Sequence, residues 1–148
     1  MGITLPERVA SARLGTNPAL ISHVSSGWVV LCDMQFLRGY CILLSDPVVS
    51  SLNDLNHTRR AAYLCDMALV GDALMEVTGV YRINYVIAGN TDPFLHAHIV
   101  PRYKTEPEAM RKGLPWSYSQ SIIDATPFDY ERDKVLIQQL NQSIQKRL

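Results

Sequence analysis

The stretch from residue 57 to 78 most constrains what this chain can fold into. Tyr63, Met67, Val70, Leu74 and Val77 recur at steps of four and three, which is one apolar stripe on a helix of 3.6 residues per turn. Asn56 or Thr58 can cap its start, and Gly79 stands where a C-cap belongs. Gly71 sits inside the helix at a cost of about 1 kcal/mol relative to Ala, which predicts close packing against it. Short β segments flank the helix in pairs. Residues 28–32 and 40–44 are apolar, β-branched and aromatic, with Arg38-Gly39 closing the loop between them and Asp46-Pro47 breaking the second. Residues 81–87 alternate, a turn follows at 89–93, and 94–103 reads as a further strand. Pairs of strands before and after one long helix predict an α+β fold, an antiparallel sheet of about five strands with helices on one face. A C-terminal helix is expected at about 129–147, with Val135, Leu136, Leu140 and Ile144 as its apolar face. Residues 1 to about 25 are mixed and take no assignment beyond a turn at Asn17-Pro18.

At 148 residues the chain is read as a single domain, 1–148, long enough to bury a core without disulfides or metal. Its 14 basic and 14 acidic residues cancel, which argues against a nucleic-acid or anionic-membrane partner and leaves any phosphate chemistry to a local site. Cys32, Cys41 and Cys65 are an odd count in apolar surroundings and read as reduced thiols. No apolar run is long enough for a signal peptide or a membrane span. The expectation is a soluble cytoplasmic protein. Neither G-x-x-x-x-G-K-[ST] nor G-x-G-x-x-G occurs, so the usual phosphate loops are excluded.

The chemistry concentrates in residues 90–102, NTDPFLHAHIVPR. Strand alternation places Phe94, His96, His98 and Val100 on one face and Leu95, Ala97 and Ile99 on the other. Two of the four histidines therefore stand roughly 6–7 Å apart along a strand. Three readings fit that spacing. The pair can be ordinary surface residues. It can be two zinc ligands, with His23, His57 or Asp33 as the third. Or it can be a neutral imidazole pair near pH 7, suited to attack on phosphorus. Arg102 either reaches phosphate or solvates the strand end, and residues 102–113 read as a solvated loop. Trp28 and Trp116 fit core packing or stacking on a base.

The string FLHAHIVPR, preceded by NYVIAGNTDP, resembles the signature of the histidine triad (HIT) family, His-φ-His-φ-His-φ-φ often followed by Pro-Arg. WVVLCDMQFLRGYCILLSD is similar to that family's first two core strands, and the resemblance covers about residues 25–105. Its bacterial branch of diadenosine polyphosphate hydrolases is the most similar. The resemblance implies a nucleotide hydrolase cleaving at the α-phosphate, with His96 as nucleophile and His98 contacting phosphate and aiding the leaving group. It implies Asn90 near phosphate and Asp33 on the ribose hydroxyls. No cofactor is required, though Mg²⁺ can accompany a polyphosphate. Two family histidines are replaced, the first of the triad by Phe94 and a relay partner by Tyr40, and these two are expected to form an aromatic packing pair. The resemblance also implies that the carbonyl of residue 94 orients His96 through Nδ1–H. A nucleotide-binding protein without turnover is the alternative. A homodimer is expected too, because Ala61, Leu64, Ala68 and Met75 make the long helix apolar over more than one face.

Overall fold

The computed structural model describes residues 2–148. Five strands, β1 (Leu20–Val24), β2 (Gly27–Leu31), β3 (Cys41–Ser45), β4 (Arg82–Val86) and β5 (His96–Arg102), form one antiparallel sheet in the order β1-β2-β3-β5-β4. The fold is α+β, as expected. The strand expected over 94–103 begins only at His96, so Phe94 lies in the approach to it.

Register decides which residues meet. Cys41 faces Ile99 and Leu43 faces Ala97 on one side of the sheet, whereas Ile42 faces His98 and Leu44 faces His96 on the other. The first side is the apolar one. Against it packs α2 (His57–Thr78), capped by the Asn56 side chain and closed by Gly79 in the left-handed conformation. Tyr63 is fully buried there and donates its hydroxyl to the Leu43 carbonyl at 2.7 Å. Gly71 lets β4 approach closely, since a Cβ at that position would lie 1.9 Å from the Tyr85 hydroxyl and oblige that ring to shift. Asp66, buried on the same helix, accepts bonds from the Ser25 hydroxyl and from the backbone and hydroxyl of Ser26, tying the β1–β2 turn to α2.

α5 (Tyr130–Gln145) packs beside α2 and against β1, with Leu136, Leu140 and Ile144 fully buried. Val135, expected on that face, is exposed. It precedes Leu136 by one position, a rotation of about 100° around the helix, and this turns it to solvent.

The histidine side of the sheet is covered as well, which corrects the expectation of helices on one face. α1 (Leu5–Leu14) opens on a Thr4–Glu7 capping box and buries Leu5, Val9 and Ala12, at steps of four and three. It packs against β3. Beyond β5 the chain forms α3 (Glu108–Arg111), a 3₁₀ turn at Pro115–Ser117 and α4 (Gln120–Asp124). Here Leu37, Tyr40 and Val100 form a second apolar cluster with Phe36, Tyr103 and Tyr118. The outer face of α2 carries Ala61, Leu64, Ala68 and Met75 in exposed positions, beside the edge strand β4.

Candidate active site

The β3–β5 pairing leaves His96 and His98 side by side, half-buried, with ring centroids 5.0 Å apart. His96 Nδ1 lies 2.7 Å from the Phe94 carbonyl oxygen. A carbonyl can only accept, so Nδ1 carries the hydrogen and the Nε2 of a neutral ring carries the lone pair. His98 Nδ1 lies 2.6 Å from the Tyr40 hydroxyl. Burial, and secondarily the nearby His96, pull His98 from the ordinary 6.5 down to about 4. It is therefore neutral near pH 7. Trp116 places its ring edge-on to His98 at 5.2 Å. Neither Nε2 has a hydrogen-bond partner among the described residues, and neither is sealed from solvent.

A cavity of about 180 Å³ adjoins His96. Its apolar wall comes from Ile3 and Leu5 at the start of α1 and from Val30, Ile42 and Leu44 of the sheet. Its polar groups are Arg8, Asp33, Asp92 and His96. Asp33, just past β2, is held by Arg8 through bonds of 3.1 and 2.6 Å. Both partners are partly exposed, so the pair sits at the rim, where such bridges contribute about 0–1 kcal/mol. A larger cavity of about 580 Å³ lies between the β1–β2 turn and the start of α2, lined by Ser25, Ser26, Asp46 and Arg59 among others. It holds neither histidine of the pair. The smaller one combines the His96 imidazole with an apolar wall and convergent polar groups, the usual composition of a ligand site.

The structure thus brings His96, His98, Tyr40 and Asp33 into one neighbourhood. Asn90 is exposed on the turn after β4, and Asp92 of the same turn lines the cavity in its place. Arg102 is the clearest correction. Its side chain is 2% exposed and its guanidinium is committed to protein partners. It pairs with the buried Glu106 at 3.0 Å and donates to Asn84 Oδ1 and to the carbonyls of Met110 and Gly113. Burial pushes Glu106 up, but Arg102, Tyr118 and the Tyr103 backbone outweigh it and hold the carboxyl below its usual range. The segment read as a solvated loop is exposed over Lys104, Thr105, Glu108 and Lys112, as expected, but it is anchored to the sheet by this ion pair. The expected Tyr40–Phe94 pair is not formed either. Tyr40 meets Phe36 and His98 in the second cluster, and Phe94 packs against the main core. Among the described residues no three His, Cys, Asp or Glu side chains group closely enough to hold a metal ion. Arg8 and Asp92 carry no signal of their own in the sequence, whereas Trp116, read as a core or base-stacking residue, stands exposed beside His98.

No family model matches the sequence, and no curated protein matches it. Solved structures do. A histidine triad protein of Sinorhizobium meliloti superposes with a TM-score of 0.67 at 22% identity, over 93% of this chain and 94% of that one. One from Marinobacter aquaeolei gives 0.71 at 19% identity, over 91% and 94%. A hypothetical histidine triad nucleotide-binding protein of Sulfolobus tokodaii gives 0.65 at 13% identity, over 86% and 84%. The chain has the fold of the histidine triad proteins.

Two outcomes follow from the buried groups. Arg102→Ala leaves Glu106 as an uncompensated buried charge, and urea unfolding should show a loss of about 3–5 kcal/mol. A stable variant that had lost only ligand affinity would return Arg102 to the site. For His98, the unfolded chain takes up its proton near 6.5 and the folded chain only at about 4. Between these values the unfolded state binds more protons, so stability falls as pH drops from 6.5 towards 4. Urea midpoints at pH 7 and pH 5 should differ more in the wild type than in His98→Gln.

Proposed function

We propose that this protein is a nucleotide hydrolase of the histidine triad type, cleaving at the α-phosphate of a dinucleoside polyphosphate or nucleoside phosphoramidate. The observation that carries the reading is the His96 Nδ1–H bond to the Phe94 carbonyl, beside a small recess with an apolar wall and polar groups at its rim. It leaves Nε2 as a nucleophile whose lone pair no protein group occupies. Attack forms an Nε2–P bond and breaks the bond from phosphorus to the leaving group, which departs with the electron pair. The ring becomes cationic, and its Nδ1–H bond to the carbonyl strengthens as charge develops. Water then attacks phosphorus, releases the nucleoside monophosphate and restores neutral His96.

The nucleoside would lie against the apolar wall, with Asp33 at the ribose hydroxyls. A carboxylate has about four lone-pair sites, so two bonds to Arg8 leave acceptors for the ribose. One Arg against two Asp side chains makes the recess formally negative, which favours a polyphosphate arriving as its Mg²⁺ complex. No protein-bound metal is called for. The second reading, a nucleotide-binding protein without turnover, draws on Phe94 and Tyr40 standing where the resemblance places relay histidines. Product chromatography after incubation with dinucleoside polyphosphates separates the two. His96→Ala should lower turnover by about 10³-fold or more, and a quenched wild-type reaction should carry one nucleotide on the His96 peptide. A wild-type rate in that variant would end the covalent route.

We further propose a cytoplasmic homodimer formed through the outer face of α2 and the edge strand β4. An edge strand beside an apolar helix face is a surface that soluble proteins usually cover, and Leu64 and Met75 are 45% and 44% exposed on it. Light scattering should give about twice 16.6 kDa, and a clean monomer at micromolar concentration would refute the interface. Cys32, Cys41 and Cys65, free in the structure, suit a reducing compartment.

A further inference from the structure

We propose that Tyr40 is a positioning residue that locks His98 in the Nε2–H tautomer, so that His98 presents a hydrogen-bond donor to a phosphoryl oxygen held beside His96. What the donor meets rests on the reading of the site as one for nucleotides. The tautomer itself does not.

The argument begins with the 2.6 Å contact between the Tyr40 hydroxyl and His98 Nδ1. One of the two must donate. A phenol is a far stronger acid than a neutral imidazole N–H, and an imidazole nitrogen is a far better acceptor than a phenol oxygen, so O–H···N is the favoured sense. Tyr40 is 2% exposed, and His98 Nδ1 is the near partner of its hydroxyl at 2.6 Å, with the Cys32 thiol and the Trp116 indole also beside it. Donation the other way would leave the buried phenolic proton only the Cys32 sulfur, a weak acceptor, in place of an imidazole nitrogen. Nδ1 therefore accepts, and the ring's hydrogen resides on Nε2, the nitrogen that no protein group occupies.

The phenol is itself held. The buried Gln35 donates its amide to the carbonyls of Cys32 and Tyr40, each at 2.9 Å, and accepts from the Gly39 backbone at 3.0 Å. The Tyr40 carbonyl also accepts from Cys32 N at 2.8 Å. Phe36 stands edge-on to the Tyr40 ring. One side-chain amide thus fixes both ends of the 32–40 loop and aims the phenol at the histidine. The titratable groups around His98 are His96, Tyr40 and, behind the phenol, the Cys32 thiol, which burial pushes up to about 11. None of them is charged near pH 7 when His96 is neutral, so hydrogen bonding selects the tautomer.

The consequence is a division of labour between two adjacent histidines. His96, bonded to a carbonyl, exposes a lone pair. His98, bonded to a phenol, exposes a hydrogen. A neutral Nε2–H can stabilise developing negative charge on a phosphoryl oxygen, and protonation of the leaving group falls to water.

Long-range ¹H–¹⁵N correlation spectra of the ¹⁵N-histidine-labelled full chain test this without substrate. Wild-type His98 should be a single Nε2–H tautomer at pH 7, with Nδ1 shifted as a strong acceptor. In Tyr40→Phe the acceptor shift should vanish, the Nδ1–H form should become populated, and the His98 titration midpoint should rise by about one unit or more. A wild-type Nδ1–H tautomer overturns the proposal, as does a folded Tyr40→Phe with unchanged His98 signals. Should Tyr40→Phe fail to fold, the wild-type tautomer and its acceptor shift decide alone. Added AMP should move the wild-type His98 Nε2–H resonance. Failure of AMP to perturb either histidine defeats the nucleotide reading and the phosphoryl contact, while the tautomer stands on its own spectrum.

Discussion

The pairing of β3 with β5 is the constraint on which the rest of this molecule depends. These central strands set Leu43 and Ala97 over α2 and set Leu44 and Ile42 beside His96 and His98. A slip of one residue would exchange the two faces of β5. Both imidazoles would then enter the core, and Ala97 and Ile99 would face the recess. Tyr63 opposes such a slip from the α2 side, where its buried hydroxyl requires the Leu43 carbonyl at its present place. The geometry of the site is in this sense produced by core packing on the opposite side of the sheet.

Four of the five strands and both long helices were legible because each carries a pattern of its own. The stripe from Tyr63 to Val77 and the apolar run before Asp33 needed no tertiary information. β1 escaped because Ser22 and His23 interrupt it, and α1 because only Leu5, Val9 and Ala12 mark its buried side. The candidate site divides the same way. His96, His98 and Asp33 are tied to strand positions and could be placed. Arg8 reaches Asp33 across 25 residues of sequence, and Gln35 acts through a loop whose shape no local pattern announces. Arg102 misled because charge ordinarily signals solvent, whereas here the partners that satisfy it arrive from Asn84, Glu106, Met110 and Gly113.

Phe94 shows why a substituted motif can keep its geometry. The group that orients His96 is a backbone carbonyl, present whatever the side chain. What matters is where that carbonyl points, and the surrounding hydrogen bonds settle it. Phe94 N donates to the Asp92 carbonyl at 2.8 Å, Leu95 N to Val49 at 2.8 Å, and Ser45 N to the Leu95 carbonyl at 3.3 Å. The Phe94 ring packs against the main core and adds apolar anchorage to the same segment. A polar ring in that place would have to find a partner there, and Tyr40 is already engaged with His98 and Phe36.

Two histidines separated by one residue look alike in a sequence, and on a strand they even share a face. Their chemistry is decided by what stands behind each ring. A carbonyl has lone pairs and no hydrogen, so the imidazole bonded to it must donate through Nδ1 and keeps its free lone pair on Nε2. A phenol prefers to donate, so the imidazole bonded to it accepts through Nδ1 and keeps its hydrogen on Nε2. With the rings 5.0 Å apart, His96 adds to burial in holding His98 neutral near pH 7. Arg102 and Glu106, buried charges near this face, are paired with one another. On the proposed tautomers, an anionic ligand approaching the histidines would meet a lone pair on His96 and a hydrogen on His98, with Arg8 and Asp33 at the rim.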